Sequence, residues 1–409
     1  MKLINVASIF FISLTITSCQ PASEGDREAT ASNGEGESIV VPDKREAEAG
    51  LEMGEETASP DMSDLGIEDR EVFAHKVKRK PNYAVMDVFF ATDRDENESS
   101  DTKTRFGSER GDLKYGITKV SIPRDHKMGE LESPSVWKLE FREDPEKHVV
   151  VLDISILEKS SYFDAISQKV NHSSKKAAFI FVHGYNVTFV DAARRTAQMS
   201  YDLGFDGAPV FYSWPSYGST AKYTFDEANI IWAQGNIEGF LKDFAEKSGA
   251  ENIYIIAHSM GNRALTRAYI SLINKNPELK SRFTEIILAA PDIDADVFKR
   301  DIAPAMVLAG SPVTLYASSE DIPLQASKAV HGGHPRAGDS GENIIVLPGI
   351  ESIDSTKVNT GFLGHSYYAD EKSIISDMFY IFQNGLRASE RAGLNEVASP
   401  DGIYWEFKR

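Results

Sequence analysis

The 409-residue chain predicts an α/β fold, a doubly wound and mostly parallel sheet with a β-rich N-terminal lead-in. Three observations predict it. From Ala177 onward, short apolar runs alternate with segments whose apolar residues recur at helical spacing, the pattern of strands and crossover helices. Upstream, strand-like runs follow one another with Pro and Gly between them and little helical period, the texture of antiparallel pairing. Finally, the run Ile253-Tyr254-Ile255-Ile256-Ala257 breaks at His258-Ser259-Met260-Gly261 and resumes as a helix, which sets a serine at the tip of a strand-turn-helix.

In order, the lead-in holds strands over residues 83–92, 115–122, 136–142 and 148–156, with a polar loop at 93–105. A strand at 178–182, a helix at 190–203, a strand at 209–214 and a long helix at 226–248 follow. Next come the serine-bearing strand 253–257 and its helix, then strands at 285–290, 313–318 and 343–347 and a last helix at 373–387. The folded domain is thus expected over residues 81–387. Residues 388–409 read as a polar tail whose Tyr404-Trp405 pair could dock on the body.

Charge is unevenly placed. The formal net charge is -18, and residues 20–70 alone carry fifteen Asp or Glu against four Lys or Arg, a net of -11. This segment has no aromatics and cannot bury enough surface to offset its ordering entropy, so residues 20–80 are expected to be a disordered acidic tether. No Lys/Arg cluster or basic-aromatic stripe points to nucleic acid, and none is expected as a partner. The single cysteine, Cys19, excludes an intrachain disulfide and a thiolate metal cluster. Met1-Lys2 followed by the apolar run 3–16 has the shape of a secretory signal. Its end, Ile16-Thr17-Ser18-Cys19, resembles the lipobox of bacterial lipoproteins. That implies a signal peptide over residues 1–19, lipidation of Cys19 and a lipid anchor in the cell envelope. Gln20 in place of aspartate after the cysteine favours the outer membrane, facing the periplasm.

Ala257-x-Ser259-x-Gly261 is a variant of G-x-S-x-G, the turn that exposes a nucleophilic serine. A serine hydroxyl needs a base, a group that orients the base, and donors for the oxyanion. His183-Gly184-Tyr185-Asn186 follows strand 178–182 directly, where Gly184 frees the backbone to aim the Tyr185 N–H at a substrate oxygen and His183 flanks it. The second donor is the N–H of Met260. The acid usually follows the second strand after the nucleophile, which selects Asp321, with Glu320 beside it; Asp292 and Asp294 are the alternatives, or else they cap the next helix. Of the histidines after the acid, His365 lies between the last strand and the last helix, where the base belongs. His331 and His334 occupy a loop that could act as a lid, and with Asp339 they lack the spacing of a metal site. Neither metal nor cofactor is expected. Tyr185, Trp214, Tyr217, Phe362, Tyr367 and Tyr368 are candidate pocket walls.

These motifs resemble a known family. Phe181-Val182-His183-Gly184-Tyr185-Asn186, Phe211-Tyr212-Ser213-Trp214-Pro215-Ser216, Ile256 to Arg263 and Ala289-Ala290-Pro291-Asp292-Ile293-Asp294 are similar to the bacterial DUF900 group. Upstream, Phe90-Ala91-Thr92-Asp93-Arg94, Tyr115-Gly116 and Val120 through His126 look like its N-terminal signature. The resemblance runs from roughly Val85 to Tyr368. It implies an α/β-hydrolase fold of esterase or lipase type and supports Ser259, Asp321 and His365 as a triad acting on a small-molecule or lipid ester. It does not name a substrate. A catalytically inactive scaffold on the same fold, or an acyltransferase using the same triad, are the alternatives.

Overall fold

The computed structural model describes residues 81–134, 140, 142–358 and 374–408, all within one compact unit, Lys78–Arg409. The expected signal peptide with Cys19, the expected tether, and His365 with Phe362, Tyr367 and Tyr368 lie outside the described residues. Most of the strand expected at 136–142 does too. No helix among the described residues is long and apolar enough to cross a membrane.

Among the described residues eleven strands form one sheet: β1 (Tyr83–Glu96), β2 (Phe106–Pro123), β3 (Val150–Leu157), β4 (Ala177–Val182), β5 (Gly207–Ser213), β6 (Asn252–His258), β7 (Phe283–Ala289), β8 (Val313–Ala317), β9 (Ile350–Asp354), β10 (Leu394–Ser399) and β11 (Gly402–Phe407). Their spatial order is β10-β11-β9-β8-β7-β6-β4-β5-β1-β2-β3. The eight strands from β11 to β1 in that order run parallel, whereas β2, β3 and β10 pair antiparallel with their neighbours. The α/β-hydrolase fold read from the sequence is the fold observed, with the lead-in continuous with the main sheet.

Among the described residues seven helices of seven residues or more accompany the sheet: α1 (Lys159–Asn171), α2 (Phe189–Asp202), α3 (Tyr223–Lys247), α4 (Gly261–Lys275), α5 (Ala303–Ala309), α6 (Ile322–Val330) and α7 (Ile374–Asn384). Alternation along the strands divides the core between two faces. In β4, Ala178, Ile180 and Val182 pack with α1, α3 and α4, while Ala177, Phe179 and Phe181 pack with α2 and α7. Every residue of β4 is buried, as a central parallel strand requires. The chain passes from β4 to β5 on one side, then returns to lay β6 on the other. The carboxyl ends of β4 and β6 therefore meet at a reversal of strand order, where α/β sheets bind ligands.

Several elements differ from the sequence expectation, among them α6, where no helix is expected, and β2, which begins at Phe106 rather than at residue 115. Helix α1 was not foreseen, although its buried Tyr162, Phe163, Ile166 and Val170 keep helical spacing. The strand expected at 343–347 instead lies at β9. The apolar residues 344–347 form a loop with only Ile345 buried, closed by Pro348 and by Gly349 at φ +86°. Glu351 sits in β9, and its carboxylate is paired with Arg387 and Arg391. The stretch after Ala388 does more than dock: it folds as the hairpin β10-β11, and β11 pairs with β9 through Trp405↔Ile353 and Glu406↔Asp354.

Candidate active site

Ser259 stands between β6 and α4 with φ +49°. A left-handed backbone costs a non-glycine residue roughly 1–2 kcal/mol, so the surroundings must enforce it. The Ser259 amide donates to the Ala289 carbonyl at 2.9 Å. The Ser259 carbonyl accepts from the amides of Asn262 (3.1 Å) and Asp292 (3.2 Å) and from the Asn262 side chain (3.0 Å). Gly261 is required: a Cβ there would lie 2.4 Å from the His183 carbonyl oxygen. Ala257, in the place of the motif's first glycine, is fully buried and small enough for the close approach.

The loop after β4 lies against this turn. A Cβ on Gly184 would sit 3.0 Å from Ser259 Cβ and from His258 Nδ1. Asn186, at φ +57°, gives its amide to Asp226 Oδ2 (3.1 Å), and the Val187 amide donates to Ser216 Oγ (3.2 Å). The N–H groups of Tyr185 and Met260 have no acceptor among the described residues. The Tyr185 ring packs edge-on against Tyr223, with centroids 5.2 Å apart, and burial followed by the charge of Asp321 pushes its hydroxyl pKa upward.

His183 is turned into the protein behind the loop. Its ring stacks on the buried Trp214 (5.1 Å, 16°), whose indole N–H donates to the His183 carbonyl at 2.8 Å. Nδ1 is 2.8 Å from the Gly184 carbonyl oxygen; Nε2 is 3.2 Å from Ser213 Oγ and 3.4 Å from Arg94 Nη2. Burial, reinforced by the Arg94 charge, holds its pKa well below the usual histidine range, so the ring is neutral. A carbonyl only accepts, which places the proton on Nδ1.

The candidate acids occupy distinct surroundings. Asp321 is buried at the N-terminus of α6 and accepts the Leu324 amide at 2.8 Å. Burial, with lesser pushes from Asp292 and Asp339, raises its pKa to about 6. Asp292 is 1% exposed and committed on every side, to Arg263 (3.0 Å), Arg336 (2.9 Å), Tyr223 and Ser327. Burial opposes its charge, but the two arginines hold its carboxyl below the ordinary value. Asp294 caps the short turn Ala295–Val297 by accepting the amides of Asp296 and Val297. Glu320 is exposed. His331 bonds the Ser327 carbonyl (2.7 Å) and Glu227 (2.8 Å), and His334 is exposed. Among the described residues no group of three or more His, Cys, Asp or Glu is arranged to hold a metal ion.

Sequence reasoning passed over the polar frame that holds these loops. Arg94, quoted within its motif but given no role, is fully enclosed. Asp226, at the start of α3, ties Asn186 to Ser216 and Tyr217. One helical turn along α4, a cavity of about 400 Å³ is lined by Ile231, Gln234, Arg263, Arg267, His331 and Arg336, and Ser259 is not among its walls.

No curated protein matches the chain. Among solved structures it is similar to lipase B of Aspergillus fumigatus, at 14% identity over 45% of each chain with a TM-score of 0.27. It is similar also to an esterase from Rhizomucor miehei, at 10% identity over 80% of this chain and 92% of that one, TM-score 0.30. Esterase B of Lactobacillus rhamnosis gives 10%, 65%, 76% and 0.25 for the same four quantities. Residues 158–381 match the family described as alpha/beta hydrolase of unknown function (DUF900), a span that leaves out the motifs at 90–94 and 115–126. The chain belongs to this DUF900 family of α/β-hydrolases.

Proposed function

We propose that the protein is a serine hydrolase that cleaves a carboxylic ester through an acyl-enzyme. One observation carries the reading: Ser259 is held in a left-handed conformation at the carboxyl end of β6, with the Gly184 backbone packed against it. A strained serine between strand and helix, beside a loop with an uncommitted amide, supports a nucleophile facing an oxyanion site. His365, which in sequence falls between β9 and α7, takes the Ser259 proton as Oγ attacks the ester carbonyl. The Tyr185 and Met260 amides receive the oxyanion. Collapse expels the alcohol, protonated by His365, and water then hydrolyses the acyl-enzyme with the same base. Asp321 orients the imidazole and offsets its charge; above about pH 6 its carboxyl is ionised and fit for that role. No cofactor enters these steps. The substrate is a small-molecule or lipid ester of the bacterial envelope, reached from an anchor at Cys19, probed by whether Cys19→Ala releases the protein from membranes.

The test is fluorophosphonate labelling of wild type, Ser259→Ala and His365→Ala, with p-nitrophenyl esters of rising chain length. Labelling and turnover present in wild type and lost in both variants support the reading. A folded wild type that neither labels nor turns over any ester refutes it.

A further inference from the structure

The Gly184–Tyr185 peptide has a support that the hydrolase chemistry does not itself explain. Arg94, near the end of β1, is buried and makes no ion pair among the described residues. Burial lowers its pKa to about 10, which leaves it charged at neutral pH. Burying a charge is costly; the carboxylates of Asp93, Asp226, Asp191 and Asp95 offset part of that cost without touching the guanidinium, and hydrogen bonds meet the rest. They reach three stretches of chain, at Gly107, at His183 to Val187 and at Ser213 to Ser216. Nε donates to Ser213 Oγ (2.8 Å), Nη1 to the carbonyls of Gly107 (2.9 Å) and Ser216 (2.8 Å), and Nη2 to the Val187 carbonyl (2.7 Å) with His183 Nε2 at 3.4 Å.

The consequence passes through His183. With Nε2 facing a permanent cation, the imidazole keeps its proton on Nδ1, and that proton is bonded to the Gly184 carbonyl. A trans peptide is planar, and its C=O and N–H point in opposite directions. Holding the Gly184 oxygen on the His183 side therefore points the Tyr185 N–H the other way. Trp214 completes the clamp, stacking on the ring and bonding the His183 carbonyl. The Asn186 amide is drawn off to Asp226, so the two peptides flanking Tyr185 are each fixed by a separate anchor.

We propose that Arg94 and His183 are positioning residues, a buried relay that locks the Gly184–Tyr185 peptide with its N–H turned toward Ser259. Neither side chain touches substrate. Without the relay this peptide is free to flip and present its carbonyl in place of a donor, leaving the oxyanion site half made. The inference rests on the serine-hydrolase reading and adds what keeps that site formed.

The experiment uses the full-length protein and compares wild type with His183→Leu, His183→Asn, Arg94→Met and a remote buried-histidine control, His126→Leu. Leucine removes the donor to the Gly184 carbonyl; asparagine can restore one close to Nδ1. The readouts are the rate of fluorophosphonate labelling, kcat and KM on p-nitrophenyl butyrate, and folded content by circular dichroism. Removing one oxyanion donor lowers kcat about 10²–10³-fold, so His183→Leu and Arg94→Met are expected to lose that much in kcat and labelling with KM little changed. His183→Asn is expected to recover most of the loss, and His126→Leu to label normally per folded molecule. Wild-type labelling matched by His183→Leu overturns the relay alone. So does an asparagine variant no better than leucine, or a control that falls equally. A wild type that does not label overturns the hydrolase reading, and the relay with it.

Discussion

Asp321→Asn should make the protein more stable and nearly inactive at the same time. An aspartate carboxyl ordinarily titrates near 3.8, and burial pushes that of Asp321 up to about 6. Below about pH 3.8 it is protonated whether the chain is folded or not, and it contributes no difference. Between there and about pH 6 the folded protein holds the proton that the unfolded chain releases, so stability falls as pH rises. Above about pH 6 the full cost of the buried charge is present, ~3 kcal/mol at most. Asparagine has no charge to bury and caps a helix as well as aspartate, so the Leu324 amide keeps its acceptor. Urea unfolding at pH 4 and pH 7.5 measures the difference. The variant is expected to match wild type at the lower pH and to exceed it by up to ~3 kcal/mol at the higher. Turnover is expected to fall about 10⁴-fold, as when the acid of a Ser-His-Asp triad becomes an amide. An asparagine variant less stable than wild type at pH 7.5 refutes the reasoning, since the carboxylate would then gain more from a partner than it loses by burial.

Strain at Ser259 gives a second prediction: Ser259→Gly should be more heat-stable than Ser259→Ala by about 1 kcal/mol, both without turnover, because only glycine adopts φ +49° freely. Gly261→Ala drives a Cβ to 2.4 Å from the His183 carbonyl oxygen. It should cost about 1–3 kcal/mol or more in urea unfolding and abolish labelling, because the atom met is backbone and cannot swing aside. His126 is a pH-dependent clamp: burial opposes its charge, but hydrogen bonds to Asp202 and Glu132 raise its pKa to about 9. Its contribution is complete below about pH 6.5 and lost as pH rises through 9, so His126→Gln should be destabilising at pH 6.5 and match wild type near pH 10 in thermal unfolding.

The fold was legible because a doubly wound sheet leaves a repeated trace, apolar runs where both faces are buried and helical stripes between them. That signal located β4, β5, β6, β7 and β8 within a few residues. It failed where burial and polarity part company. Glu351 disguised β9, since an ion-paired carboxylate and an exposed one look alike in sequence. The hairpin β10-β11 was disguised the same way, its one apolar cluster read as a patch on a tail. At the site, the serine, its small neighbours and the glycine of the loop were legible from motif spacing. The frame behind them was not. Arg94 lies 89 residues from His183, and nothing local in the sequence says that a strand arginine will be buried to hold another loop's ring and carbonyl.

The hairpin has a consequence for how the sheet ends. An open sheet presents rows of unpaired N–H and C=O groups on its outermost strands, ready to template another chain. Among the described residues those strands are β3 and β10. Both carry exposed polar side chains, Asp153 at mid-strand in one and Asn395 and Glu396 in the other. Without the hairpin the outermost strand would be β9, in which Ile350, Ser352 and Ile353 are buried. A chain cut before Leu394 should therefore self-associate as concentration rises rather than merely melt earlier, which light scattering would register. The polar character that made these residues look like a loose end suits them to be the sheet's outer border.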